Sequence, residues 1–286
     1  MDTQLRKQAI ALYDRFTHEG LDRRVFMARM VALAGSVAAA EAMIGAIAAT
    51  PAAAAIVPAD DKRLVARTQD LVGGYKAYVA EPRSRSLKPT VLVIHENRGL
   101  NDHIRDIARR LAVAGFRAVA PDFLSLSGGT PANEDAAREA IGKLDLAKSV
   151  NDAVAMLDEL ARSSRGGKVG SVGFCWGGGF VNRLAVAAGD KLAAGVSFYG
   201  SAPDASEASK VQAPLLIHDA GLDDRVNRTS FPWVDALRAV GKPVKFYLYE
   251  GVNHAFNNDT SAERYDKAAA DLAWKRTIAF FKQHLG

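Results

Sequence analysis

Cysteine is nearly missing from this chain: of 286 residues, only Cys175 carries a thiol. An intrachain disulfide and a multi-cysteine metal site are therefore excluded, and the thiol is free for chemistry in any compartment. A basic stripe is also missing. Lys and Arg number 37 against 32 Asp and Glu. The two signs are interspersed, so the net charge of +5 is not the footprint of a nucleic-acid-binding surface. Aromatic residues are modest at 8%. No uncharged apolar run is long enough for a stable membrane span. The longest candidate, from Ala28 to Ala55, contains Arg29 and Glu41, and a carboxylate at bilayer depth costs a few kcal/mol. Internal repeats and linkers are absent after residue 60. What remains, 49% hydrophobic and 24% charged, is the composition of a globular protein with a sizeable core.

The first 57 residues differ from the rest. Asp22-Arg23-Arg24-Val25-Phe26-Met27 is followed by the Ala-rich stretch and by Pro51-Ala52-Ala53-Ala54-Ala55, which offers small-x-small cleavage sites. This pattern is that of a twin-arginine export signal. It predicts a leader over residues 1–57, cleavage between about residues 52 and 56, and a periplasmic destination for a single domain over 58–286. The alternative is a cytoplasmic protein whose N-terminus is a helical arm packed on the domain or on a partner.

After a polar lead-in over 56–70, strands and helices alternate. Residues 74–80 alternate in polarity and read as an edge strand, whereas Thr90 to His95 is a continuous apolar run, the mark of a strand buried on both faces. Further strands are predicted at 116–120, 168–173, 193–199, 213–218 and 243–249. Helices are predicted from about residue 104 to Gly115, from a Thr130-Pro131 start to Ile141, and over 145–162, 180–188 and 230–240, with one more at the C-terminus. Such alternation implies an α/β fold with a mostly parallel sheet covered by helices on both faces. Ligands of such sheets sit beyond the carboxyl ends of the strands.

One junction stands out. Gly173-Phe174-Cys175-Trp176-Gly177 joins a strand to a helix, the nucleophile-elbow pattern with a thiol where serine is usual. Flanking glycines permit a sharp turn, and the N-terminus of the following helix favours a thiolate and a developing oxyanion. Later strand ends carry Asp223 or Asp224, and then His254. Nucleophile, acid and base thus follow in the chain order of an α/β-hydrolase triad. Of the other histidines, His18 belongs to the leader, His95 and His218 end strands, and His103 and His284 lie at helix ends.

Residues 60–286 resemble the dienelactone hydrolase family. The resemblance rests on His95-Glu96-Asn97-Arg98-Gly99, Pro121-Asp122, Gly173 to Gly178, Phe198-Tyr199-Gly200, Gly221 to Val226 and His254-Ala255-Phe256. It implies an α/β-hydrolase that cleaves an ester or lactone, a small-molecule substrate, through Cys175, His254 and Asp223, with Asp224 as fallback. It further implies that Glu96 pairs with the thiol and helps to generate the thiolate. The backbone N–H groups of Asn97 and Trp176 would form the oxyanion hole. No metal or organic cofactor is implied. Arg98, Tyr199 and Asn258 fall on the substrate side. Asn258 stands where family members that act on dienelactone have an arginine for the substrate carboxylate. Neutral substrates are therefore expected to be cleaved at least as well as anionic ones, with Arg98 the candidate replacement clamp. A broad-specificity carboxylesterase or thioesterase, and a binding protein that retains the pocket without turnover, are the rival readings.

Overall fold

The computed structural model describes residues 3–48, 55–84 and 86–286. Most of the cleavage run predicted at 51–55 lies outside them. Among the described residues an eight-stranded sheet has the order β1-β2-β4-β3-β5-β6-β7-β8. Its strands are β1 Leu64–Leu71, β2 Tyr75–Pro82, β3 Thr90–Ile94, β4 Arg117–Pro121, β5 Val169–Phe174, β6 Ala194–Phe198, β7 Leu215–Ala220 and β8 Val244–Tyr249. β1 and β2 pair antiparallel, β2 and β4 likewise, and all other neighbours are parallel. β3, β4, β5, β6 and β7 are buried along their whole length, as their mainly apolar sequences require, although Arg117, His218 and Asp219 are buried among them.

Helices cover both faces. α4 (Asp102–Val113) and α9 (Lys267–Leu285) bury Ile104, Ile107, Leu111, Phe281 and Leu285 on one side. On the other side α6 (Leu146–Ala161), α7 (Trp176–Ala187) and α8 (Asp224–Ala239) contribute Met156, Leu160, Leu184, Trp233 and Leu237. The short α5 (Glu134–Gly142) flanks the carboxyl end of the sheet. This is the α/β-hydrolase architecture.

Three local readings change. The lead-in contains the true edge strand, β1, whose side chains are mostly part-exposed on both faces, so no apolar stripe marks it; the strand predicted as an edge, β2, is second in the sheet. α5 starts at Asn133, whose side chain caps Ala136 N–H at 2.9 Å, whereas Thr130 Oγ1 donates to Asp122 at 2.8 Å. α8 begins six residues before its predicted start and continues through Pro232. Its first turns are polar and carry no apolar periodicity.

The N-terminal residues form α1 (Thr3–His18), α2 (Arg23–Ala34) and α3 (Val37–Ile47). Among the described residues no single helix is long and apolar enough to cross a membrane; α2 and α3 reach the length only as a pair bent by 105°. Arg23 and Arg24 open α2, capped by Asp22, which accepts from Arg24 N–H at 2.8 Å.

Candidate active site

β5 delivers Cys175 at its carboxyl end with φ 55° and ψ −114°, and α7 starts at the next residue. The flanking glycines are needed for proximity rather than for their own dihedral freedom. A Cβ on Gly173 would stand 2.0 Å from Gly177 O, and one on Gly177 would stand 2.4 Å from Ile94 O. The elbow glycines thus let strand and helix touch, while Cys175 itself takes the strained positive φ. Among the described residues three non-glycines have positive φ: Cys175, Tyr199 and Ala255. All three lie at the sheet's carboxyl end, and strained backbone of this kind concentrates at functional sites.

The loop after β8 brings His254 back over the sheet. Its Nδ1 lies 2.5 Å from Asp223 Oδ2, while Asp223 Oδ1 caps α8 by accepting from Val226 N–H at 3.2 Å. Asp224 points to solvent. Burial works against a charged His254 ring, but the Asp223 carboxylate and Cys175 outweigh it and raise its pKa to about 10. Its Nε2 is buried and has no hydrogen-bond partner among the described residues. Tyr199 stands edge-on to His254 at 5.0 Å, with its hydroxyl buried and unpaired among the described residues.

Glu96 is buried, and its Oε2 accepts from Asn258 Nδ2 at 2.9 Å while Oε1 has no partner among the described residues. Asn258 therefore supports a carboxylate of the site, a role the reading of it as a substrate contact did not contain. Glu96 takes no part in capping α4, whose cap is Asn101, accepting from Ile104 N–H at 3.1 Å. Arg98, the candidate clamp, is engaged elsewhere, by Glu134 and by the hydroxyl of Tyr13. His95 is structural: it stacks on Trp176 at 5.3 Å, and its Nδ1 lies 2.7 Å from Glu96 O. His218 is buried between Thr277 and Tyr249, and burial, helped by Arg276, lowers its pKa to about 3.

The residue that chain-order reasoning set aside is His18. The last residue of α1, it enters the site with both ring nitrogens 3.9 Å from Cys175 Sγ and its ring 4.7 Å from that of His254. Burial and the neighbouring cations His254, Arg225 and Arg264 hold its pKa well below the usual range, so the ring is neutral. Asn97 Nδ2 donates to Thr17 O at 3.3 Å. The space enclosed by His18, Glu96, Cys175, His254 and Asn258 is only about 10 Å³. A larger cavity of about 300 Å³ reaches Cys175 from the α5–α7 side; it is lined by Arg138, Arg183 and Arg225 and, among the described residues, by no acid.

Comparison with known proteins follows the same outline. The model of the Dienelactone hydrolase family matches residues 75–285. A protein of Escherichia coli O157:H7 that carries a carboxymethylenebutenolidase name is 33% identical over 261 residues, 84% of this chain and 94% of that one. Protein usf of Aquifex pyrophilus is 33% identical over 222 residues, 73% of this chain and 94% of its own. The crystal structure of a dienelactone hydrolase-like promiscuous phosphotriesterase, P91, from metagenomic libraries superposes with a TM-score of 0.69 at 27% identity. It covers 78% of this chain and 100% of P91.

Proposed function

This chain belongs to the dienelactone hydrolase family, and on that footing we propose that it hydrolyses a carboxylic ester or lactone with Cys175 as nucleophile, His254 as acid and base, and Asp223 as the group that orients it. One observation carries the reading: His254 is anchored through Nδ1 by Asp223 at 2.5 Å and keeps Nε2 buried and unpaired beside the thiol. A histidine so held has its ring orientation fixed and its charged form stabilised, and its second nitrogen is free for proton transfer.

Arriving substrate displaces Glu96, whose unpaired Oε1 takes the thiol proton. Sulfur then attacks the carbonyl carbon. The oxyanion meets the N–H groups of Trp176, unpaired in the first turn of α7, and of Asn97. His254 Nε2 protonates the departing alkoxide. In the second half it takes a proton from water, the hydroxide attacks the thioester carbonyl, and the thiolate leaves and takes its proton back from Glu96, which restores the resting site.

The cavity of about 300 Å³ is where the rest of the substrate fits. Its arginines support a substrate that carries a carboxylate or comparable anion, contrary to the expectation drawn from Asn258. Arg183 gives its hydrogen bonds to Gly179 O and Ser201 O and so brings to the cavity wall a positive charge that no acid pairs among the described residues. Arg225 bonds Ser201 Oγ and also lies 3.9 Å from Asp223 Oδ2 and 3.4 Å from His254 Nδ1, which shares its charge with the triad acid. Export stands as part of the proposal: cleavage after a twin-arginine signal would remove α1 to α3, and with them Thr17 and His18 from the wall of this cavity, which would leave it wider around Cys175.

The test is a panel of activated esters, thioesters and lactones in matched neutral and anionic pairs. Turnover is expected for oxygen esters, with the anionic member preferred, and Cys175→Ala should lower kcat by at least about 10³-fold. Undiminished turnover in that variant would remove the triad reading. Binding without turnover in the natural protein would make it a binding protein.

A further inference from the structure

The catalytic trio has a neighbour that ester hydrolysis does not use. His18 comes from a different unit of the molecule and stops against the nucleophile. Ligand atoms of His18, Cys175 and His254 all lie within 4.8 Å of one another. The space they share with Glu96, Asn258, Arg98 and Arg264, about 10 Å³, suits one water molecule and excludes an ester. Arg98 is paired with Glu134 and Arg264 with Asp14, and the Glu96 carboxylate faces the same space. What fits is an ion.

The donor set states which kind. One sulfur and two imidazole nitrogens suit zinc and its borderline or soft relatives, whereas calcium and magnesium want oxygen. Around a tetrahedral centre with bonds of about 2.0–2.3 Å, neighbouring ligand atoms stand roughly 3.3–3.8 Å apart. The contacts of 3.9 Å between Sγ and the His18 ring are already near that spacing. The widest separation among the donors, up to 4.8 Å, must close by about 1 Å on binding, and the cation must displace the proton that Asp223 and Cys175 help His254 to hold. The outer shell is built as well. Asp223 holds His254 Nδ1 at 2.5 Å, the carboxylate–histidine arrangement that fixes a ligating imidazole, and it leaves the buried Nε2 without a partner among the described residues.

We propose that Cys175 Sγ, His254 Nε2 and one ring nitrogen of His18 bind a single zinc-class divalent cation, and that its occupancy latches the N-terminal helices over the nucleophile. Three ligands leave a fourth position for water. The site exists only while α1 is docked, so the cation stabilises the docked arrangement by mass action and keeps substrate off the thiol. Chain order gave no hint of this, because it assigned His18 to a leader and looked for metal sites among cysteines. Cation binding depends on the three donors alone and belongs to the full-length chain that retains α1, whereas its effect on substrate access rests on the ester-hydrolysis reading.

Full-length protein, stripped with a chelator, is titrated with Cd²⁺ while the thiolate-to-cadmium charge-transfer absorption is followed, and with Zn²⁺ by calorimetry. One equivalent of each is expected to bind. His18→Ala and His18→Asn should each weaken zinc by at least about 100-fold, more than loss of an outer-shell group does, with thermal unfolding of the metal-free proteins unchanged. Zinc should also protect residues 3–48 from protease in the natural protein and not in His18→Ala. Equal zinc affinity in the natural protein and both variants would overturn the proposal, since the ion would then rest on Cys175 and His254 alone. So would the lack of a saturable charge-transfer band. The titration uses no substrate, so its failure is distinct from a failure to hydrolyse esters.

Discussion

The N-terminal helices and the α/β domain are held together internally by the same force, and to each other by a different one. Residues 3–48 keep their apolar side chains for one another: Ile10, Tyr13, Phe16, Phe26, Met30 and Met43 form a cluster drawn wholly from α1, α2, α3 and their immediate flanks. The domain buries the two faces of its sheet in the same manner. The seam between them is polar. Arg6 pairs with Glu263 at 2.6 Å, Arg23 with Asp135 at 2.5 Å, and Arg264 with Asp14 at 3.4 Å. Arg138 lies over the Phe16 ring at 4.4 Å, and a cavity of about 390 Å³ interrupts the contact. A dry cluster resists partial opening because every lost contact exposes apolar surface. The two part-exposed pairs, Arg6–Glu263 and Arg23–Asp135, contribute about 0–1 kcal/mol each, whereas Arg264–Asp14 is largely buried and is not covered by that figure. The helices thus cohere more strongly among themselves than with the domain, and the unit they form includes His18, which contacts the thiol. P91, matched over its whole length, leaves 22% of this chain uncovered, and the family model starts only at residue 75.

The comparison is sharpened most by titrating the dry side. Asp219 on β7 is fully buried, and burial raises its pKa from 3.8 to about 7. The unfolded chain therefore loses this proton before the folded one does. Stability falls as pH rises from 3.8 toward 7 and levels off above, a total of about 4 kcal/mol at 1.36 kcal/mol per pKa unit. Asp219→Asn removes the titration. Denaturant unfolding should find the variant more stable by up to about 4 kcal/mol near pH 8 and no better than the natural protein near pH 4. An advantage that does not change with pH would mean that this part of the interior is not dry.

The next effect is smaller and sits at the seam. Asp14→Lys with Glu263→Lys turns two attractions into repulsions, against Arg264 and Arg6. Losing two such pairs is worth about 1.4 kcal/mol or more, a tenfold shift toward the open arrangement. Alkylation of Cys175 by iodoacetamide should speed up by at least about tenfold. An unchanged rate would show that the helices do not gate the thiol.

How much of this was legible in the sequence follows the same division. Strands buried on both faces announce themselves as apolar runs, and Cys175, Asp223 and His254 are at strand ends because this fold presents chemistry there. β1 and the start of α8 were not legible, since neither presents a one-sided apolar pattern. Within the site, sequence gave residue types without partners. Arg98 read as a substrate clamp, yet it holds Tyr13 of α1, and Asn258 read as a missing clamp, yet it supports Glu96. His18 was hidden most completely. The pattern along α1 marks its apolar face, but no local signal tells what its last residue meets 157 positions away. A polar seam leaves no periodic trace, whereas a core does.

The smallest effect has a sign that only the seam model can give. Arg6 and Glu263 are part-exposed, with side-chain exposures of 44% and 27%, and Arg23 and Asp135 more so at 68% and 48%. Added salt reaches charges of this kind. Raising sodium chloride from about 0.1 M to about 1 M shortens the screening length from about 10 Å to about 3 Å. In the natural protein this weakens attraction, so the helices open more often and Cys175 alkylation should rise by a few-fold, less than the charge reversal achieves. In Asp14→Lys/Glu263→Lys the same salt weakens repulsion, so alkylation should fall. The two rates converge from opposite sides as salt increases. Chloride is the right anion, because sulfate also strengthens apolar burial and would close both proteins. Rates that rise or fall in parallel would place the salt effect on the thiol chemistry itself, and the ion pairs between α1, α2 and the domain would then have no part in holding the site shut.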